Sequence, residues 1–189
     1  MLIVLYGTSC IGKTTLIKYL IDNHQWIPIS CYLTRPLRDS DIARITVTNK
    51  EFNAKDGAGY FSFVNQQYNV MYGTPEDELR IAANDLNNKY ILDFMLKNSW
   101  QLENINHTRV IMLPETEEFL KSRISLANRQ ERLSEILIDF QENYNLEKVF
   151  LCEQKGFKIL IVRNNSIESI FREFTELLER DHLLVKLFQ

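Results

Sequence analysis

The chain has 189 residues, 45% of them hydrophobic, enough to bury the core of a single domain. With 22 Lys and Arg against 25 Asp and Glu its formal charge is −3, which excludes a general nucleic-acid or anionic-membrane binder and leaves small anionic ligands to local cations. Cys10, Cys31 and Cys152 are scattered without C-x-x-C spacing, so neither a disulfide framework nor a zinc site is expected, and a reducing cytoplasm fits.

Met1 leads almost directly into the apolar run Leu2 to Tyr6, read as a strand, with no basic segment or long apolar stretch; neither a secretory signal nor a membrane span is expected. Gly7-Thr8-Ser9-Cys10-Ile11-Gly12-Lys13-Thr14 then fits G-x-x-x-x-G-K-[ST], and Leu16, Ile17, Leu20 and Ile21 form one face of a helix behind it. Glycines in such a loop let backbone N–H groups wrap phosphates at a helix N-terminus. Lys13 is expected to reach the outer phosphates and the Thr14 hydroxyl to ligate Mg²⁺. Gly7 to Thr15 are therefore the candidate ATP site. Within it, Cys10 reads as a small filler in preference to a reactive thiol.

Trp26 to Thr34 is β-rich. The polar stretch after it, with Arg35, Arg38, Asp39, Asp41 and Arg44, looks like an excursion from the core. Thr46 to Phe52 and Tyr60 to Val64 read as short strands around an Asp56-Gly57-Ala58-Gly59 turn, making a small sheet. Thr74 is the expected N-cap of a helix reaching about Asn87, with Pro75 at its first position and acids in its first turn. Tyr90 to Met95, Arg109 to Leu113 and Lys158 to Val162 read as strands. Glu115 to about Tyr144 is helical with a break near Asn128, where a flap could hinge, and Asn165 to about Arg180 is an amphipathic helix capped by Asn165 with Glu168. Strands alternating with helices predict a mostly parallel central sheet flanked by helices, with ligands at the strand carboxyl ends.

Several residues admit both a chemical and a structural role. The forks of Arg35 and Arg38 suit a phosphate monoester, or pair with Asp39 and Asp41 at the surface. Asp93, near the end of an apolar strand, needs a partner: magnesium, or the cap of the next element. Arg123, Arg129 and Arg132 could close over bound phosphates, or form helical pairs with Glu131 and Glu135. Tyr60, Phe61, Tyr68 and Tyr72 could hold a base or a phosphate, or simply fill the small sheet. His24, His107 and His182 show no metal spacing.

Taken in order, Gly7 to Thr14, Thr34-Arg35-Pro36-Leu37-Arg38, Tyr72-Gly73-Thr74 and Ile91-Leu92-Asp93 resemble the guanylate kinase family of nucleoside monophosphate kinases over nearly the whole chain. The strand, proline and arginine-bearing helix from Arg109 to Arg123 look like the family's lead into its lid. The resemblance implies a P-loop kinase fold with a core of residues 1–34, 74–122 and 147–189, an acceptor-binding insertion at 35–73 and a helical lid at 123–146. It also implies ATP and Mg²⁺, small-molecule nucleotide substrates, a cytoplasmic setting and a monomer or homodimer. By the same matching, Arg35, Arg38 and Tyr72 contact the acceptor phosphate, Thr74 faces its base, Tyr60 or Phe61 fills a phosphate-binding tyrosine position, and Lys13 and lid arginines stabilise the transferred group.

The departures touch the base. Cys31 replaces a serine, Met95 replaces the second acid of the family's L-D-x-D, and the interval between Val64 and Tyr72 is too short for the family's helix and guanine-reading glutamate. Asp139 and Phe140 stand where a last lid arginine is expected. Guanine specificity is thereby put in doubt, and a phosphorylated sugar as acceptor, or a binding module that has lost turnover, are the alternatives.

Overall fold

A computed structural model describes the backbone of residues 1–67 and 69–187 and their side chains, except those of Gln67 and residues 180–187. Tyr68, singled out in the sequence, lies outside the described residues. The chain forms two compact units, Met1–Val4 with Ile17–His107 and Leu5–Leu16 with Thr108–Gln189, so that β1 (Leu2–Tyr6) and α1 (Lys13–His24) each contribute to both. The central sheet has the order β2-β7-β1-β8-β9, and the β2–β7 and β8–β9 pairs are parallel. This is the mostly parallel, helix-flanked α/β arrangement that the strand and helix alternation predicts.

In the first unit, the β-rich stretch after Trp26 divides between sheets: β2 (Ile27–Pro28) joins the central one and β3 (Cys31–Leu33) a smaller one. The smaller sheet runs β4-β3-β6-β5, with β4 at Arg44–Thr46, β5 at Phe61–Gln67 and β6 at Val70–Pro75. β5 and β6 pair antiparallel around Asn69, whose φ of +59° suits an asparagine in a tight turn. Phe61 fills the centre of this layer: a Cβ on Gly73 would lie 2.8 Å from its ring, so only glycine lets β6 pass.

The strand expected at Thr46 to Phe52 is instead the end of β4 followed by helix α2 (Asn49–Gly57). Thr48 and Glu51 form a reciprocal capping box, and Phe52 is fully buried. Two satisfied amides at the start outweigh the weak β alternation of that stretch. Helix α3 (Glu76–Asn84) starts one residue later than expected: Thr74 stays in β6 and Pro75 is the N-cap, without a side-chain cap bond. It also stops short of Asn87, because the Asp85 carboxylate accepts from the amides of Asn87 and Asn88 and turns the chain toward β7 (Tyr90–Asp93). A 3-10 helix, Leu96–Leu102, which the sequence pattern does not announce, buries Leu96 and Leu102.

In the second unit β8 (Thr108–Pro114) and β9 (Lys158–Val162) lie in register from Val110↔Lys158 to Pro114↔Val162. The predicted break at Asn128 is present, at φ +51°, between α4 (Glu117–Leu126) and α5 (Leu133–Asn143). Leu120, Ile124 and Ile136 bind these two helices together through a buried cluster that also takes Cys10 and Phe140. Helix α6 (Leu146–Gln154), unforeseen in the sequence, begins on Asn145, whose side chain accepts from the Lys148 amide. The last helix, α7 (Ile167–Leu187), is capped by Ser166, which accepts from the Ser169 amide; Asn165, the expected cap, is engaged by Arg123.

Candidate active site

The candidate nucleotide loop sits in the second unit, between the end of β1 and the start of α1. Gly7 is dictated by close approach: a Cβ there would lie 2.8 Å from the Met112 carbonyl oxygen. Cys10 at φ +67° and Gly12 at φ +107° turn the chain into a concave run of amides, and the first helical bond, from the Leu16 amide to the Gly12 carbonyl, closes at 3.0 Å. Lys13 folds over this curve and donates to the carbonyls of Gly7 (2.5 Å) and Thr8 (3.0 Å). Thr14 and Thr15 occupy the first turn of α1, half-buried and exposed respectively; Ser9 is half-buried and Ile11 wholly buried.

The arginine-rich segment meets the loop within this unit. Arg123, on α4, donates from Nε to the Cys10 carbonyl (2.9 Å) and from Nη1 to Asn165 Oδ1 (2.7 Å), over the ring of Phe119. Burial lowers its pKa, leaving it still charged. Arg129 follows the Asn128 break, and Arg132 pairs with Glu135 through Nε at 3.2 Å. Burial pushes the Cys10 thiol up, while the charges of Arg129, Arg132, Lys13 and Arg123 pull it down; the net shift is upward. Cys10 is therefore a neutral filler ringed by cations. Thr8, 1% exposed, donates its hydroxyl to Asp139 Oδ2 on α5 at 3.0 Å.

The candidate acceptor residues gather in the first unit. Arg35 forms a two-pronged pair with Asp41, Nη1 to Oδ2 at 2.6 Å and Nη2 to Oδ1 at 2.9 Å, with the side chains 15% and 12% exposed. The Arg38 amide also donates to Asp41, at 2.9 Å. The hydrogen bond with Asp41 raises the Arg35 pKa, against burial, and Tyr72 adds to the rise. Burial pushes the Asp41 carboxyl up, yet the Arg35 bonds, the Arg38 amide and the charges of Arg35 and Arg44 hold it below its usual range. Arg44, which the sequence offers only as one of several polar residues, is half-buried, its side chain 18% exposed, and donates to Asp93 Oδ2 at 3.0 Å. Burial disfavours its charge, but the groups around it, the Asp93 and Asp41 carboxylates among them, more than restore it. Burial keeps the Cys31 thiol neutral.

Asp93 thus has the partner that its strand-end position demands, a guanidinium. Of the two side chains expected to hold a metal, Thr14 offers an oxygen in the first turn of α1, whereas one oxygen of Asp93 is already committed to Arg44. Among the described residues, no three His, Cys, Asp or Glu side chains gather into a metal site of their own. Of the remaining candidates, Phe61 and Thr74 are buried, at 7% and 4% exposure, and present little to a ligand. Tyr60 is exposed; its hydroxyl lies 3.1 Å from that of Tyr32 and Lys55 sits over both rings. The hydrogen bond with Tyr60, then burial, push Tyr32 up to about 12.

Arg44 and Asp139 are thus the two site residues the sequence did not single out. For Asp139 a signal existed: it follows Ile136 by one turn on the face of α5 that carries Phe140, an apolar face where a carboxylate needs a partner.

No protein-family model and no curated protein sequence matches the chain. Among solved structures, a guanylate kinase from Anaplasma phagocytophilum matches with a TM-score of 0.65 and 16% identity, over 96% of this chain and 85% of that one. At that identity the likeness shows a P-loop kinase-like fold. Among the described residues, no helix is long and apolar enough to cross a membrane.

Proposed function

We propose that the protein is an ATP- and Mg²⁺-dependent phosphotransferase that moves the γ-phosphoryl group onto the phosphate of a small acceptor, in the first place a nucleoside monophosphate. The observation that carries this reading is the nucleotide loop: glycine forced by close approach at Gly7, a concave run of amides, Lys13 folded over it and Arg123 bonded to its rim.

In this reading the amides of residues 8–14 take the donor phosphates, and Lys13 exchanges its two carbonyls for phosphate oxygens. The Thr14 hydroxyl would hold Mg²⁺, which when bound would offset the charge of the donor phosphates. Arg35, Arg38 and Tyr72 hold the acceptor phosphate. One of its oxygens forms the new bond to the γ-phosphorus while the bond to the β-phosphate oxygen breaks and ADP leaves. Arg123 and Arg129 stabilise the charge spread over the transferred group. Tyr60 remains a candidate acceptor contact, whereas buried Phe61 and Thr74 support the sheet beneath it. Guanine preference is not part of the proposal: Cys31, at the serine position, is buried as a neutral thiol beside Arg44. A small-molecule enzyme of the cytoplasm, monomeric or homodimeric, accords with this chemistry.

The test is a coupled assay of ADP release with ATP, Mg²⁺ and a panel of nucleoside monophosphates and sugar phosphates. Turnover with a nucleotide that Lys13→Ala abolishes supports the proposal. Turnover with a sugar phosphate alone redirects it to that acceptor, and ATP binding without any phosphorylated product replaces it with a binding module.

A further inference from the structure

Residues 123–146 are expected from the sequence to form a lid, yet within the second unit α5 holds the nucleotide loop. Thr8 is 1% exposed, and its hydroxyl donates to Asp139 Oδ2 at 3.0 Å across 131 residues of sequence. The other carboxylate oxygen, Oδ1, accepts from Asn143 Nδ2 at 3.0 Å one turn further along α5, which fixes the rotamer of Asp139. Next to this bond, Cys10 packs against the cluster that joins α4 and α5, with Leu133, Leu137 and Phe140 around it. The loop is thus held on both sides of Ser9, once by a polar bond to α5 and once by apolar contact with the cluster shared by α4 and α5. A carboxylate beside a phosphate cradle opposes anion binding by its charge, so its presence there requires a compensating gain, and holding the loop's curvature supplies one.

We propose that Asp139 is a positioning residue for the nucleotide loop: by accepting the Thr8 hydroxyl it fixes the loop in its phosphate-accepting curve and makes α5 a fixed wall of the donor site. The proposal rests on the ATP site described above, and its first readout needs no ligand. Loss of the bond leaves a buried hydroxyl without an acceptor and frees the amides of residues 7–12.

The experiment uses the full chain and four variants, Asp139→Ala, Asp139→Asn, Thr8→Val and the double variant Thr8→Val/Asp139→Ala. Hydrogen exchange of the 7–12 segment and the affinity for MgATP are both measured. Asp139→Ala and Thr8→Val are expected to speed exchange of that segment and each to weaken MgATP about tenfold, the double variant no more than either alone. Asp139→Asn keeps an acceptor oxygen and is expected to stay within about threefold of the parent, with the acceptor KM unchanged in all variants. Should Asp139→Ala fail to fold, Thr8→Val tests the same bond from its other end. Unchanged exchange in both single variants, additive losses in the double one, or an Asp139→Asn as impaired as Asp139→Ala, overturns the proposal. A parent protein that does not bind MgATP, but whose loop exchange still responds to Asp139→Ala, refutes the proposed function and leaves the anchor standing.

Discussion

Replacing Asp41 by alanine removes two acceptor oxygens of the Arg35 guanidinium, leaving it the Pro36 carbonyl, and removes the acceptor of the Arg38 amide. Exposed ion pairs contribute about 0–1 kcal/mol, whereas breaking a fully buried one costs about 3–5 kcal/mol. With side chains 15% and 12% exposed, the Arg35–Asp41 pair lies between these limits, and about 2 kcal/mol is expected. For a chain of this size, each kcal/mol moves the thermal midpoint by about 2–4 °C, so the variant should melt about 4–8 °C lower at neutral pH. The pH dependence fixes the cause. Asp41 is held below its unfolded pKa, so its contribution is complete above about pH 4 and is lost as pH falls through the folded value. Melting curves followed by circular dichroism from pH 7 downward should therefore show the gap between parent and variant closing below about pH 4. A variant that melts with the parent at pH 7, or a gap constant down to acid unfolding, would refute the assignment of that stability to the ion pair.

Lys13→Ala should reduce turnover by at least about a thousandfold while melting within about 2 °C of the parent, because the loop carbonyls that its side chain bonds are neutral acceptors; a fully active variant would remove the loop from the chemistry. Arg44→Met should cost about 1–2 kcal/mol in urea unfolding by stranding half-buried Asp93, and adding Asp93→Leu should recover part of that loss; equal or larger loss in the double variant would show that the pair is not what Arg44 supplies. Gly73→Ala should destabilise by about 1–3 kcal/mol through collision with the Phe61 ring, and combination with Phe61→Leu should relieve it, read from the same unfolding curves. Thr48→Ala should cost about 1 kcal/mol as the cap of α2 is lost; no measurable change would deny the capping box its role.

Local features were the ones legible in the sequence. The nucleotide loop is contiguous, and its glycines and lysine declare their backbone needs without any distant partner. The strand Lys158–Val162 and the break at Asn128 are equally local, one an apolar run and the other a residue able to adopt positive φ. Where two local signals competed, the weaker was followed: Thr48-x-x-Glu51 announced a helix, but the alternation of Ile45, Val47 and neighbouring polar residues pointed to a strand. The partners of Arg44 and Asp139 lie 49 and 131 residues away, so their pairing depends on how the units fold and no spacing rule reveals it. Arg35 was legible as a cation that either holds a phosphate or pairs with an acid, but not with which acid, because Asp39 and Asp41 were equally placed to take it and only the turn at Arg38 selects Asp41.

The cations of the candidate site differ in what holds them, and the difference bears on how each could receive a phosphate. Lys13 and Arg123 bond neutral oxygens, the carbonyls of Gly7, Thr8 and Cys10 and the amide of Asn165. A phosphate replacing these oxygens would gain a charge-assisted bond in exchange for a bond to a neutral acceptor. Arg35 and Arg44 bond carboxylates, so a phosphate that displaced Asp41 or Asp93 would leave a carboxylate facing an incoming anion. The favourable course is for an anion to join these pairs without breaking them. In Arg35 the Nε is buried and, among the described residues, has no hydrogen-bond partner, while both terminal nitrogens are held by Asp41. Asp41 then orients the fork and raises the pKa of Arg35 in place of competing for it. The loop in the second unit is arranged to exchange partners; the arginine pairs in the first are arranged to hold still.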